Sequence, residues 1–149
     1  SLCPDENLLI IDAGSAITYD FVTADGEYIG GNIAPGLKMR FTMLQRMTKK
    51  LPLVEAEENE LIPLFGKNTR DAIAAGVIRG VAYEVKGYMR TLREKMPHFQ
   101  TYLTGGHASY VLNNVRTSRN EKREIHFEKN LVLIGLNEIL CYNKLKIEK

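Results

Sequence analysis

The first quarter of the chain alternates between apolar runs and short polar turns, a pattern typical of consecutive β-strands. Leu8 to Ile11 predict a fully buried strand, and Ala16 to Val22 resume β-forming character after a short turn. Ala24-Asp25-Gly26 is a strong hairpin signal, and Glu27 to Ile33 predict a third strand that ends before Pro35-Gly36. We therefore expect three strands joined by two hairpins.

After Gly36 the apolar positions change from the period of a strand to that of a helix. A short amphipathic helix is predicted before Leu51-Pro52, with apolar positions at Leu37, Phe41, Leu44 and Met47. The acidic run from Glu55 to Glu60 predicts a surface loop. The longest helical stretch begins at Thr69 and continues to Met96-Pro97, with one apolar stripe at Ile73, Val77, Val81 and Val85.

Three glycines interrupt this long helix, at Gly76, Gly80 and Gly87. Each weakens a helix by about 1 kcal/mol relative to Ala. We expect a close helix–helix approach to compensate, and the seam could lie inside the subunit or at a homodimer contact.

The last third of the chain predicts two more strands and two helices. Gln100 to Leu103 form a strand, Thr104-Gly105-Gly106 turn into a short helix from Ala108 to Asn114, and Arg123 to Phe127 predict another strand. Apolar residues are expected to pack a closing helix, at Leu131, Leu133, Ile134, Leu136, Ile139 and Leu140. Strands alternating with helices predict an α/β fold.

Composition narrows the class of protein without identifying it. The chain has 149 residues, 44% hydrophobic and 26% charged, which predicts a single domain spanning residues 1–149. No membrane span or signal peptide is recognisable, and a cytoplasmic location is expected. The net charge of +2 is too small to imply nucleic-acid binding, and the basic stretch from Arg116 to Arg123 predicts a solvated loop.

Residues with other common chemical roles give no recognisable site. Cys3 and Cys141 are far apart and lack metal or redox spacing, so free thiols are expected. The three histidines, at His98, His107 and His126, share no spacing that would predict a metal or nucleophile site, and surface or capping roles are expected.

The turn from Asp12 to Ser15 carries the most informative candidate chemistry. Asp12 follows a buried strand, where a carboxylate is costly to desolvate unless a cation or hydrogen-bond donors meet it. Gly14 allows a ligand to approach the backbone, and Ser15 supplies an N–H and an O–H group. The turn therefore favours a cation and a phosphate. A capped hairpin whose Asp12 accepts local backbone N–H bonds explains the same pattern equally well.

Five separated motifs resemble the type III pantothenate kinases, also known as the Bvg accessory factor family. They are Asp12-x-Gly-Ser-Ala-Ile-Thr-Tyr-Asp20, Gly26-x-Tyr-Ile-Gly-Gly-x-Ile-x-Pro-Gly36, Leu51-Pro-Leu-Val54, Gly66-x-Asn-Thr69-x-x-Ala-Ile73-x-x-Gly76 and Leu103-Thr-Gly-Gly106. The resemblance runs from about Leu8 to Leu140. It implies a ribonuclease H-like domain of the actin-like ATPase and sugar kinase superfamily, with a mixed sheet and flanking helices.

The resemblance also implies an activity and site residues. It implies ATP-dependent phosphorylation of pantothenate, the first step of coenzyme A biosynthesis, by a homodimer that uses Mg-ATP and a monovalent cation, K+. Asp12 would belong to the cation site, Ser15 would contact ATP and Thr69 would contact pantothenate. Ser15 departs from the usual Thr of the family but keeps its hydroxyl group. From the residues alone, an N-cap role is the favoured explanation of Thr69, and the contact with pantothenate is what the resemblance implies.

Two motifs of the family do not occur in these 149 residues. They are the Asp-x-Gly-Asn-Thr phosphate loop and the Gly-x-Asp-Arg motif, whose Asp is the family's general base. The chain therefore resembles the C-terminal half of such an enzyme, with no catalytic residue of its own and weak turnover expected without the N-terminal half. The alternatives are a non-catalytic transcriptional activator of the Bvg accessory type, or half of a sugar kinase.

Overall fold

An antiparallel meander of three strands forms the first part of the fold. The computed structural model describes residues 3, 5–58, 60–115 and 125–147. It contains β1 (Leu8–Ala13), β2 (Ala16–Val22) and β3 (Tyr28–Pro35), which confirms the three predicted strands, with β3 displaced slightly along the chain. The register places Asp12 opposite Thr18, next to the turn that joins β1 to β2.

The strand β1 is buried on one face only. Leu9 and Ile11 are at most 1% exposed, whereas Leu8 and Ile10 are half-buried and face a cavity on the other side of the sheet. The expectation of a fully buried strand was therefore wrong. Because successive side chains alternate between the two faces of a strand, Asp12 shares the half-buried face with Leu8 and Ile10.

The meander is extended by two parallel strands into a mixed five-stranded sheet. β4 (Gln100–Thr104) and β5 (Ile125–Phe127) complete the order β3-β2-β1-β4-β5. β1 is antiparallel to β2 and parallel to β4, and β4 is parallel to β5. A parallel pair needs a long crossover connection, which the helices between β3 and β4 supply.

The helices between β3 and β4 follow the predicted pattern except in one turn. α1 (Leu37–Met47) ends before Leu51, as expected. The long predicted helix is divided into α2 (Thr69–Ala74), a π-helical turn at Ala75–Arg79 and α3 (Gly80–Lys95). The sequence pattern did not predict the π-helical turn. The predicted apolar stripe is buried at all four of its positions, Ile73, Val77, Val81 and Val85.

One face of the sheet is covered by helices. α4 (Ala108–Val115) contacts β1, β4 and α3, so these elements share one hydrophobic core with Leu9, Ile11 and Leu103. The predicted short helix after β4 is confirmed. None of the described helices combines the length and the apolarity needed to cross a membrane.

The closing helix α5 (Leu131–Ile147) lies against the other face of the sheet, and much of its apolar surface is open. Its helical structure confirms the prediction, but five of its apolar side chains are each more than half exposed, Val132, Leu133, Leu136, Ile139 and Leu140. The expectation that the closing helix is packed by its apolar residues was therefore wrong for most of them.

The glycines of the long helix have no close neighbour from another described element. Apart from the adjacent residues and the backbone of the helix itself, a Cβ atom added at Gly76, Gly80 or Gly87 would find no described heavy atom within 4 Å. A helix–helix seam inside the subunit, at the part of the chain that the structure describes, is therefore excluded as their explanation. The predicted basic loop from Arg116 to Arg123 lies outside the described residues.

Replacement of Leu103 by Ala should lower the free energy of unfolding by about 2–5 kcal/mol, because a large core side chain is lost. Leu103 is 0% exposed and pairs with Ile11 on one side and Phe127 on the other. Urea unfolding followed by circular dichroism measures the change. The matched control is Leu61→Ala, since Leu61 is 93% exposed, and its effect should stay within about 0.5 kcal/mol. Equal losses in the two variants would contradict the central position assigned to β4.

Candidate active site

The Asp12 carboxylate lies at the end of β1 without a local hydrogen-bond donor. Among the residues that the structure describes, no group donates a hydrogen bond to it and no cation pairs with it. The nearby Gly14 N–H donates to the Ala16 carbonyl oxygen instead, at 3.0 Å. The alternative of a capped hairpin, in which Asp12 accepts backbone N–H bonds, is therefore wrong for this part of the chain.

Asp12 lines a cavity of about 360 Å³ between the open face of the sheet and α5. Most of the lining is apolar, and Asp20 is the second carboxylate that faces the cavity. Asp20 is already engaged, because the Tyr28 hydroxyl donates a hydrogen bond to it at 2.9 Å. The two carboxylates therefore differ, because Asp20 accepts a hydrogen bond and Asp12 accepts none from the described residues. The other lining residues are Cys3, Leu8, Ile10, Thr18, Tyr102, Thr104, Leu131, Val132, Ile134 and Gly135.

One wall of the cavity carries a hydrogen bond between a thiol and a phenol. Cys3 Sγ lies 2.9 Å from Tyr102 Oη, and this contact raises the pKa of Tyr102 to about 12. Tyr102 is therefore a neutral, polar group at physiological pH. Cys3 and Cys141 are both free, as expected, but the contact of Cys3 with Tyr102 on β4 was not predicted, because it joins residues 99 positions apart.

The turn that carries Ser15 is held by close backbone contacts with Gly36. A Cβ atom on Gly36 would collide with the Ser15 carbonyl oxygen and would lie 2.6 Å from the Gly14 carbonyl oxygen. Only a residue without a side chain fits there. Ser15 itself is exposed, so its hydroxyl and amide groups can reach a ligand from solvent.

The loop from Gly105 to His107 packs against the same turn from the other side. Gly105 has a φ of +98°, and a Cβ there would collide with Asp12 Oδ1 and lie 2.6 Å from the carbonyl carbon of Ala13. The His107 N–H donates to the Ala13 carbonyl oxygen at 2.8 Å, and His107 Nδ1 lies 3.3 Å from the Gly14 carbonyl oxygen. Three segments that are distant in sequence therefore meet at one edge of the sheet.

His107 is a contact residue that the sequence analysis missed. His107 has no metal-ligand spacing to other residues, so the sequence pattern predicted only a surface or capping role. Its position directly after Thr104-Gly105-Gly106 was the one feature of the sequence that could have indicated its contact with the turn. Its imidazole touches the turn through a backbone carbonyl and lies 6.0 Å, centroid to centroid, from the Tyr110 ring.

Thr69 is the first residue of α2, but it is not the N-cap. Asn68 caps the helix, because its side-chain oxygen accepts a hydrogen bond from the Asp71 N–H at 2.9 Å. Thr69 is exposed, and no described group hydrogen-bonds to its hydroxyl. The N-cap explanation of Thr69 was therefore wrong, and its hydroxyl is free for a ligand.

Among the residues that the structure describes, no hydrogen bond joins Thr69 to the turn of Asp12 and Ser15. Its neighbour Arg70 instead forms an ion pair with the acidic loop, where Arg70 Nη1 lies 2.5 Å from Glu60 Oε1. This contact lowers the pKa of Glu60. The acidic loop is thus fixed to the start of α2.

The described residues hold no cluster of three or more His, Cys, Asp or Glu side chains that could bind a metal ion. Any cation at the turn would therefore rely on Asp12 together with backbone carbonyl or water oxygens, a ligand set that suits a hard monovalent or divalent ion. The residues present fit such an ion, since no group in the described part of the chain pairs with the Asp12 carboxylate.

Comparison with a solved structure establishes the fold. The crystal structure of a putative Baf family transcriptional activator from Campylobacter jejuni superposes with a TM-score of 0.68 over 93% of this chain and 59% of that chain. Its sequence identity of 24% shows the fold alone. The predicted α/β, ribonuclease H-like fold, a mixed sheet with flanking helices, is confirmed.

Curated sequences establish the family. The type III pantothenate kinase family model matches residues 1–91. The type III pantothenate kinase of Phocaeicola vulgatus is 44% identical over 142 residues, which cover 95% of this chain and 55% of that protein. The protein of the same name from Porphyromonas gingivalis is 44% identical over 144 residues, covering 96% and 57%. The chain thus spans about half the length of the curated relatives it matches, and it belongs to the type III pantothenate kinase family.

Proposed function

We propose that this chain is the C-terminal half of an ATP-dependent pantothenate kinase that acts in the first step of coenzyme A biosynthesis. The observation that carries the proposal is the Asp12 carboxylate at the end of the central strand β1, which pairs with no described group and lies three residues before the exposed Ser15. The same turn occurs in a chain whose curated relatives are named type III pantothenate kinase.

Phosphoryl transfer depends mainly on positioning and on neutralising phosphate charge. On this proposal Asp12 helps to hold K+ beside the phosphates, and the amide and hydroxyl groups of Ser15 bind ATP. Thr69 contacts pantothenate with the hydroxyl that Asn68 leaves free. Mg-ATP is the co-substrate, and its cation offsets charge on the transferred phosphoryl group.

The proposal assigns no general base to this chain. The Gly-x-Asp-Arg motif that would remove the proton from the pantothenate hydroxyl does not occur in its 149 residues. The missing proton acceptor should reduce the rate by about 10²–10⁴-fold.

A homodimer in the cytoplasm is part of the same proposal. Gly76, Gly80 and Gly87 have no close neighbour from another described element, which supports the predicted contact between subunits. A second copy could approach the backbone closely at these positions.

Turnover is the direct test of the proposed function. With pantothenate and ATP, a coupled ADP-release assay should give a rate at least about 100-fold below that of the Phocaeicola vulgatus protein measured in parallel, because the general base is absent. Controls without pantothenate correct for ATP hydrolysis. A rate equal to that of the longer relative would contradict the assigned need for the missing motif.

Replacement of Asp12 by Asn should remove the effect of K+ on nucleotide binding. Titration with a fluorescent ATP analogue in KCl and in choline chloride should show tighter binding in K+ for the unchanged chain. In Asp12→Asn this advantage should fall by about 10- to 100-fold, since a charged contact is lost.

The matched control for this titration is Asp25→Asn, at the exposed hairpin tip. This variant should keep the full K+ dependence. If Asp12→Asn and Asp25→Asn behave alike, Asp12 does not belong to a cation site.

Replacement of Thr69 by Val should weaken pantothenate binding, whereas Thr69→Ser should preserve it. Loss of one hydroxyl hydrogen bond predicts about a 3- to 10-fold weaker affinity. Amide chemical shifts of residues 68–71 during a pantothenate titration report the binding. Because Asn68 caps α2, neither substitution removes the cap, and circular dichroism should be unchanged. Equal affinities of Thr69→Val and Thr69→Ser would refute the role of the hydroxyl.

A further inference from the structure

Arg40 joins two parts of the fold through three nitrogen atoms of one guanidinium group. Nη1 and Nη2 bind the two oxygens of Glu84 on α3, at 2.6 and 2.8 Å. Nε donates a hydrogen bond to the carbonyl oxygen of Pro35 at 2.7 Å. The planar, fork-shaped guanidinium suits this double role, which a lysine ammonium cannot fill.

Glu84 is fixed in turn by a buried tyrosine. The Tyr19 hydroxyl donates to Glu84 Oε2 at 3.3 Å, and the Tyr19 ring stacks on Tyr88 with 4.2 Å between the centroids. Burial raises the pKa of Tyr19, and the Glu84 carboxylate raises it further, so the phenol remains a donor at neutral pH. The Glu84 carboxylate is therefore held from both β2 and α1.

The Pro35 carbonyl group that Arg40 binds lies beside the turn of Asp12 to Ser15. Pro35 is the last residue of β3 and pairs with Ala16, the residue after Ser15. The next residue, Gly36, packs directly on the carbonyl groups of Gly14 and Ser15. A shift of the corner formed by Pro35 and Gly36 would therefore shift the turn that presents Ser15.

We infer that Arg40, held by a Glu84 carboxylate that Tyr19 fixes in turn, is a positioning residue that sets the backbone of the Gly14–Ser15 turn for the phosphates of ATP. The inference rests on the proposed function, in which Ser15 binds ATP. Arg40 itself acts through the corner of Pro35 and Gly36 and is not assigned a contact with the nucleotide.

Two conservative variants separate the geometry of Arg40 from its charge. Arg40→Lys keeps the positive charge but cannot bind Glu84 and the Pro35 carbonyl oxygen at the same time. Glu84→Gln keeps the shape of the side chain but removes its charge, which weakens the two hydrogen bonds with Arg40. The matched control is Arg70→Lys, which alters a similar two-pronged pair with Glu60 away from the turn. Ser15→Ala serves as the reference for direct loss of a nucleotide contact.

Two measurements on the 149-residue chain test the inference. The first is the amide chemical shift and hydrogen-exchange rate of Gly14, Ser15 and Gly36 without nucleotide. The second is the affinity for a fluorescent ATP analogue. Arg40→Lys and Glu84→Gln should shift these amides, speed their exchange and weaken the affinity by about 3- to 30-fold, whereas Arg70→Lys should change neither readout.

A double variant distinguishes positioning from simple stabilisation. Exchanging the two charges, Arg40→Glu with Glu84→Arg, restores an ion pair between α1 and α3 but places a carboxylate near the Pro35 carbonyl. The melting temperature should recover relative to Arg40→Glu alone, while the turn amides and the ATP affinity should not. Recovery of all three readouts would show that only the ion pair matters and would overturn the inference.

Failure of the inference and failure of the proposed function give different results. Unchanged Gly14 and Ser15 amides in folded Arg40→Lys and Glu84→Gln would overturn the positioning role, whatever the nucleotide affinity. Shifted amides in these variants, with no ATP binding by the unchanged chain, would support the structural link while contradicting the proposed function for this chain.

Discussion

The candidate site depends on the pairing of β1 with strands on both of its sides. Antiparallel pairing with β2 places the turn of Asp12 to Ser15 at the end of β1, and parallel pairing with β4 brings Thr104 beside Asp12. The alternation of side chains then directs Leu9 and Ile11 into the core and Asp12 into the cavity. A register shift of one residue would exchange these faces, so burial of the core fixes the position of the carboxylate.

Two glycines allow neighbouring segments to pack closely on the turn of Asp12 to Ser15. Gly36 and Gly105 bring the β3–α1 corner and the loop after β4 into contact with the same turn, where any Cβ atom would collide with backbone or with Asp12. In Gly105 the φ of +98° also favours glycine. The Asp12 turn is therefore shaped by close backbone contacts from three segments, and the Arg40 side chain reaches it only through the corner of Pro35 and Gly36.

Local patterns predicted the elements well, and they failed where the answer depends on contacts between distant segments. The β-forming character of residues 16–22 and the helical spacing of residues 37–47 are encoded in adjacent residues. The strand was therefore predicted with its observed bounds, and the helix was predicted to end before Leu51, as it does. Asn68 and Thr69 are both N-cap residue types, with Asn the stronger of the two, and the backbone conformation and the hydrogen bond from the Asp71 N–H show that Asn68 takes the role. The packing of His107 against Gly14 joins residues 93 positions apart and leaves no periodic signal. The apolar positions of α5 predicted a helix correctly, but their spacing does not show whether another part of the chain buries them.

The exposure of the Arg40–Glu84 pair argues that its role is geometric. The two side chains are 20% and 38% exposed, and ion pairs at such positions contribute only about 0–1 kcal/mol to stability. The burial of Tyr19, at 3% exposure, contributes more to the fold through apolar contact. The pair fixes an orientation. The two hydrogen bonds to Glu84 set the plane of the Arg40 guanidinium, and in that plane Nε donates to the Pro35 carbonyl oxygen. An ion pair that served only stability would not need the third hydrogen bond, from Arg40 Nε to the Pro35 carbonyl oxygen. Pro35 directly precedes Gly36, the glycine that contacts the Ser15 turn.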